Sequence, residues 1–126
     1  MTGKRRILVV DDEPDVLDSL TLLLRDDYDV VTALDGIEAL ARVQAEPFDV
    51  VVLDLMMPLL DGALLKRTMN ILGWGVPVIL LSALGDVGSR ARDIGAADYV
   101  RKPFDPADLE ASIARALRTV DGWSPS

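Results

Sequence analysis

Short apolar runs alternate with amphipathic stretches along the chain, and this alternation is the strongest constraint on its fold. The runs at 5–10, 29–33, 49–53, 76–81 and 97–100 are predicted to be strands. The first, third and fourth are apolar on both faces, which is typical of strands in a parallel sheet covered by helices on each side. The pattern therefore predicts an α/β domain.

Two helices are predicted in the first half of the chain. In the segment at 14–26, apolar residues recur at helical spacing and form one face, and Pro14 suits the first helical position. These apolar residues are Val16, Leu17, Leu20, Leu23 and Leu24. The second helix, at 37–44, follows Asp35 and has Glu38 in its first turn, which resembles a capping box with Asp as the cap.

Three further helices complete the alternation. We expect them at 61–72, at 85–94 and from Pro106 to Arg118, with Asp105 as the cap of the last one. Gly85 and Gly88 weaken the middle helix. The buried stripe of the last helix is predicted to be Leu109, Ile113, Ala116 and Leu117. Five strands alternating with five helices, joined by right-handed crossovers, predict a doubly wound (βα)5 fold.

Length, charge and composition limit the classes of protein to which the chain can belong. The 126 residues suffice for one domain, expected at 5–118, with 119–126 as a flexible tail or the start of a linker. The net charge of −8 disfavours binding of nucleic acid or an anionic membrane by this chain itself. No apolar run approaches the roughly 20 residues of a membrane span, and residues 1–6 with the short run after them make a poor signal peptide. We therefore expect a cytoplasmic protein.

Polar side chains follow the predicted strands at their carboxyl ends. Asp11 and Asp12 follow the first strand, Asp54 the third, Ser82 the fourth and Lys102 the fifth. In an open α/β sheet, functional groups gather at this edge, where the strand order reverses. An aspartate after a strand can also be merely a helix cap or turn residue. Two adjacent acids, with a third at the end of the central strand, favour a functional site.

Three clustered carboxylates repel one another unless a cation neutralises them. The chain has neither cysteine nor histidine, which leaves oxygen ligands, and these suit Mg²⁺, with Mn²⁺ as an alternative ion. Such an ion and Lys102 together balance the charge of the carboxylates, so an arriving phosphoryl group would meet a neutralised site. Asp54 is then the candidate nucleophile, because a carboxylate can accept a phosphoryl group. Lys102 and the Ser82 hydroxyl would contact its oxygens.

Four segments in order resemble the receiver domains of bacterial two-component response regulators: ILVVDDEPDV, VVLDLMMPLLDG, VILLSA and GAADYVRKPF. The resemblance covers about residues 5–118. It implies the flavodoxin-like strand order 2-1-3-4-5, the doubly wound order that receivers share. It also implies phosphotransfer to Asp54 from the phosphohistidine of a sensor histidine kinase or phosphotransfer protein.

The resemblance implies further roles at individual positions. Mg²⁺ would be held by Asp12, Asp54 and the backbone carbonyl of Met56, and by Asp11 largely through water. Ser82 and Tyr99 would form the conformational switch, and the bond between Lys102 and Pro103 would be cis. Tyr99 could instead be an ordinary half-buried strand residue.

The chain departs from the receiver pattern in two places. The segment from Ser82 to Tyr99 is about two residues shorter than is usual. Ala97 and Ser112 stand where dimerising winged-helix regulators usually have an acid and an arginine. That symmetric dimer is therefore not expected, although a monomer or another phosphorylation-dependent dimer fits the sequence.

Three alternatives compete with a phosphoacceptor. An aspartate-nucleophile phosphatase would need a second acid two residues after Asp54, where Met56 stands. A nucleotide-binding domain would need a glycine-rich phosphate loop, and neither common pattern is present. A degenerate receiver, acting as an interaction module without phosphorylation, remains open. We expect a signalling domain that catalyses only its own phosphorylation and dephosphorylation, rather than an enzyme acting on other substrates.

Overall fold

A five-stranded parallel sheet forms the centre of the protein. The computed structural model describes residues 4–54, 76–82 and 96–120. The strands are β1 (Arg5–Val10), β2 (Tyr28–Ala33), β3 (Val50–Asp54), β4 (Val78–Ser82) and β5 (Asp98–Arg101). Their order is β2-β1-β3-β4-β5 and every neighbouring pair is parallel, which confirms the predicted topology.

Three helices lie in the described ranges: α1 (Pro14–Leu24), α2 (Gly36–Ala45) and the C-terminal helix (Pro106–Val120). Asp35 caps α2 as predicted, because its side chain accepts a hydrogen bond of 2.7 Å from the Glu38 N–H. The helices predicted at 61–72 and 85–94 lie outside the described residues. Over the ranges that are described, every helix is too short or too polar to span a bilayer.

The sheet has an apolar core on each face. Side chains of α1 and the C-terminal helix pack against one face, where Ile7, Val9 and Val52 lie. Ala39 of α2 packs against the other face with Leu8, and all four of the residues from Val50 to Leu53 are completely buried. Burying an aliphatic side chain of this size contributes roughly 1.5–3 kcal/mol. The centre of the sheet is therefore a rigid support for whatever follows β1 and β3.

Several element boundaries differ from the sequence-based ones by one or two residues. β3 includes Asp54, which pairs with Leu81, because backbone pairing does not depend on the charge of a side chain. β4 begins at Val78, since Pro77 has no N–H for the ladder, although its carbonyl accepts from Val51. The other shifts are small: β2 begins at 28, β5 spans 98–101, α1 ends at 24 and the C-terminal helix continues to 120.

A polar cluster ties β5 to the C-terminal helix. One carboxylate oxygen of Asp98 accepts from the Ser112 hydroxyl at 2.7 Å and from Arg115 at 2.6 Å, and the other accepts from the Tyr99 N–H at 2.8 Å. Ser112 is completely buried. Burial alone would raise the pKa of Asp98, but the hydrogen bonds from Arg115, Ser112 and the Tyr99 amide outweigh it and hold this pKa below its ordinary value.

The lowered pKa of Asp98 makes part of the folding stability dependent on pH. Ionised Asp98 favours the folded state, so its contribution is complete above the ordinary pKa of 3.8 and is lost as pH falls through the lower native pKa. Asp98→Asn should therefore reduce the free energy of unfolding near neutral pH by about 1 kcal/mol. In urea unfolding, this difference should shrink as the solution is acidified below the ordinary pKa. Asp26→Asn, at an exposed position, is the matched control. It should leave both the free energy of unfolding and its dependence on pH unchanged.

Candidate functional site

The carboxyl ends of β1 and β3 bring three aspartates together. Val10 and Leu53 are partners in the sheet, so Asp11 and Asp54, the residues that follow them, lie beside each other at the same edge. Asp11 is 1% exposed and Asp54 is 6% exposed, whereas Asp12 is exposed to solvent. Two carboxylates are thus fixed by the sheet, and the third faces water.

The three carboxylates are close enough to share one cation. Each offers an oxygen, and these oxygens lie within 4.8 Å of one another. A set made only of carboxylate oxygens suits a hard divalent cation, and Mg²⁺ commonly keeps several waters, which the exposed side of this cluster would accommodate. The donor chemistry therefore fits the predicted magnesium site.

Lys102 provides a positive charge beside the acids. Its Nζ lies 3.5 Å from Asp11 Oδ2 and 3.7 Å from Asp54 Oδ2, and its side chain is 29% exposed. Both distances are longer than those of a short charged hydrogen bond. The ammonium therefore lies between the two acids and forms a short hydrogen bond with neither. The peptide bond between Lys102 and Pro103 is cis.

The pKa of Asp11 lies above its ordinary value. Burial is the main cause, and the nearby charge of Asp54 raises the pKa further. The Glu13 N–H, which donates to Asp11 Oδ1 at 3.0 Å, and Lys102 act in the opposite direction but do not cancel the effect of burial. A cation bound beside Asp11 would favour its ionised form.

The remaining predicted site residues are only partly described. Ser82 is the last residue of β4 and is in register with Arg101, which places its backbone at the same edge of the sheet. Met56 lies outside the described residues. Tyr99 lies in the middle of β5, and 43% of its surface is exposed. The structure thus gathers Asp11, Asp12, Asp54 and Lys102, while Tyr99 lies further back along its strand.

Two supporting features escaped the sequence-based reasoning. The Glu13 amide orients Asp11 through a backbone bond that no side-chain pattern encodes. Ser112 was noted only as a missing arginine, whereas it is a buried donor to Asp98. The spacing of Ser112 and Arg115, three apart on one helix face, is the signal that could have indicated a shared acceptor.

Residues 7–114 match the sequence profile of the family described as response regulator receiver domain. The chain belongs to this family. A probable transcriptional regulator ycf27 from Cyanophora paradoxa is 47% identical over 122 residues, which is 94% of this chain and 51% of the relative. The regulatory protein PhoP of Bacillus subtilis, named for alkaline phosphatase synthesis, is 37% identical over 97% of this chain and 52% of its own length.

Solved receiver domains share the fold. A receiver domain protein from Clostridium thermocellum superposes with a TM-score of 0.85 at 33% identity, covering 93% of this chain and 97% of the other. A CheY-like receiver from Methanospirillum hungatei gives 0.87 at 28% identity, covering 95% and 98%. The receiver domain described here thus matches other receivers over nearly their whole length, but it spans about half the length of the curated relatives it matches.

A magnesium titration checks the cation site of this receiver domain. Mg²⁺ should raise the melting temperature of the wild-type protein, because an ion that binds only the folded state stabilises it. In Asp12→Ala, one of three oxygen donors is lost, so the concentration needed for half of the shift should rise by about tenfold or more. Asp18→Ala, an exposed acid on α1, is the matched control. Undiminished binding in Asp12→Ala would contradict the site.

Proposed function

We propose that this receiver domain accepts a phosphoryl group on Asp54 from the phosphohistidine of a partner kinase or phosphotransfer protein, in a reaction that depends on Mg²⁺. The observation that carries the proposal is the placement of the Asp54 carboxylate, buried at the end of the central strand, 3.7 Å from Lys102 and within the three-carboxylate cluster. Residues 1–126 contain no histidine, so a phosphohistidine donor would lie outside them, and a small acyl phosphate could take its place.

The chemistry assigns a different task to each residue. An oxygen of Asp54 forms a bond to phosphorus while the bond from phosphorus to the donor nitrogen breaks, which gives an acyl phosphate on Asp54. Lys102 is placed to pair with a phosphoryl oxygen, since it already lies beside Asp54. Asp11, Asp12 and Asp54, with the Met56 carbonyl that the family implies, would hold Mg²⁺, and the bound ion supplies positive charge to the transferred group.

Asp54 is a better acceptor than its two neighbours. It ends β3, whose four preceding residues are completely buried, so its position is fixed by the centre of the sheet. Asp11 is held by the Glu13 amide and is still more buried, while Asp12 faces solvent. A fixed, partly accessible oxygen beside a lysine is what in-line phosphoryl transfer requires, because positioning and electrostatics supply most of that catalysis.

Phosphorylation is proposed to shift an equilibrium between two conformers. The Ser82 hydroxyl would turn toward the phosphoryl group, and the Tyr99 ring would move inward from its exposed position. The domain would act on no external substrate, and its only catalysis would be its own phosphorylation and dephosphorylation. Its output would pass to a downstream partner or to a domain beyond this chain, since the relatives named as transcriptional regulators are about twice as long.

Acetyl phosphate provides the first test. Incubation with acetyl phosphate and Mg²⁺ should add the mass of one phosphoryl group to the wild-type protein, because a small acyl phosphate can replace the kinase. Intact-mass spectrometry should detect no gain in Asp54→Asn and none in wild type with a chelator present. An equal gain in Asp54→Asn would refute Asp54 as the acceptor. A wild-type protein that gains nothing would favour the alternative, a receiver that acts as an interaction module without phosphorylation.

Lys102 provides a second, quantitative test. Lys102→Met removes the ammonium that lies 3.7 Å from Asp54, so the phosphorylation rate should fall by about a hundredfold. The time course of mass gain with acetyl phosphate measures this rate. Lys4→Met, at an exposed lysine remote in sequence from the site, should leave it unchanged. A Lys102→Met protein that reacts at the wild-type rate would remove Lys102 from the mechanism.

A further inference from the structure

The polar cluster at the start of β5 lies on the same segment as Lys102. We name the set Asp98, Ser112 and Arg115 the Asp98 clamp. Lys102 lies four positions after Asp98, which in an extended strand corresponds to about 13 Å. A strand is stiff over such a distance, so the position of one end constrains the other.

β5 is a short strand at the end of the sheet. It has four residues and pairs with β4. Of its four side chains only Val100 is buried in the core, and it faces the C-terminal helix together with Asp98, two residues before it. The clamp therefore adds polar contacts to the packing that holds β5 against that helix.

The clamp combines a buried donor, Ser112, with Arg115, whose side chain is 57% exposed. Ser112 is completely buried, and both Ser112 and Arg115 donate to the same oxygen of Asp98, at 2.7 and 2.6 Å. The other oxygen accepts from the Tyr99 amide, which fixes the backbone of Tyr99. The Tyr99 side chain points to the opposite face of the strand and is 43% exposed. The clamp thus holds the backbone at Tyr99 from the side of the strand opposite to the ring.

We infer that Asp98, bridged to Ser112 and Arg115, is a positioning residue that fixes β5 and thereby keeps Lys102 beside Asp11 and Asp54. Its effect on phosphotransfer rests on the function proposed above. Without the clamp, β5 can shift against the C-terminal helix, and the 3.5 and 3.7 Å contacts of the Lys102 ammonium lengthen. Because the rate of phosphoryl transfer depends on placement, a small shift of this lysine slows the reaction.

The first experiment needs no phosphate. In unphosphorylated protein, the NMR signals of the Lys102 Cε and Nζ report its contact with the two acids. They should move in the double variant Ser112→Ala/Arg115→Met and in the milder Arg115→Met. They should stay near their wild-type positions in Arg115→Lys, which restores a cation, and in the control Arg118→Met, an exposed arginine on the same helix.

The second experiment measures phosphorylation at increasing acetyl phosphate. The maximum rate of the double variant should fall by about tenfold, because a displaced lysine costs rate, while the half-saturating concentration stays unchanged. Arg115→Lys, which keeps a cation at this position, should retain most of the wild-type rate. Circular dichroism at the assay temperature selects variants that remain folded, and Arg115→Met serves if the double variant does not.

The outcomes separate this inference from the proposed function. If the Lys102 signals stay at their wild-type positions in a folded variant that lacks the clamp, the positioning inference is wrong. A changed Lys102 signal with an unchanged maximum rate would also overturn it, since the clamp would then be structural only. If wild-type protein takes no phosphate, the proposed function fails, and the Lys102 signals alone decide whether the clamp positions this lysine.

Discussion

Burial of β3 on both faces is the constraint on which the rest of the structure depends. Val50, Val51, Val52 and Leu53 are completely buried, and they are flanked by the buried apolar residues 7–10 of β1 and 78–81 of β4. Each such side chain contributes roughly 1.5–3 kcal/mol of burial free energy, which together outweigh the several kcal/mol needed to desolvate one carboxylate. The apolar core thus allows an acid, Asp54, to be fixed at the end of the central strand.

The site is a consequence of strands ending at one edge. Parallel strands place their carboxyl ends side by side, so Asp11 and Asp54 meet although 43 positions separate them along the chain. The pKa of Asp11 is raised mainly by burial, and the charge of Asp54 adds to the shift. Lys102 offsets part of the repulsion between the two acids, and a divalent cation would offset more. This arrangement of charges is the one that the proposed phosphoryl transfer requires.

The edge strand β5 is held in place differently from the central strand β3. β5 is short and is anchored by polar contacts as well as by packing, through Asp98 and its two partners on the C-terminal helix. An edge strand with one buried side chain can move more easily than β3 can. Under the proposed function, β3 holds the acceptor and the contacts of Asp98 hold the strand that leads to Lys102. The two strands are thus fixed by different means, β3 by burial and β5 by polar contacts as well as packing.

The sequence by itself determined the architecture and most of the site. Apolar runs separated by amphipathic stretches predicted five parallel strands, and the order that the resemblance to receiver domains implied was confirmed. The ends of those runs indicated Asp11, Asp12, Asp54 and Lys102 as neighbours, because strand ends in a parallel sheet share an edge. Boundaries were less well predicted, as at Asp54, because backbone pairing continues past a charged side chain when the neighbouring strand is long enough.

Only the tertiary structure decided the contacts that depend on distance. The Glu13 amide that orients Asp11, the placement of Lys102 between two acids and the bonding of Asp98 to Ser112 join residues through geometry that no residue type specifies. From the sequence alone, Ser112 cannot be distinguished from an ordinary helix residue, because its burial and its partner are set by the fold. Sequence patterns encode which side chains lie on a face or at an edge, whereas hydrogen bonds and pKa values depend on separations of a few ångströms, which packing alone sets.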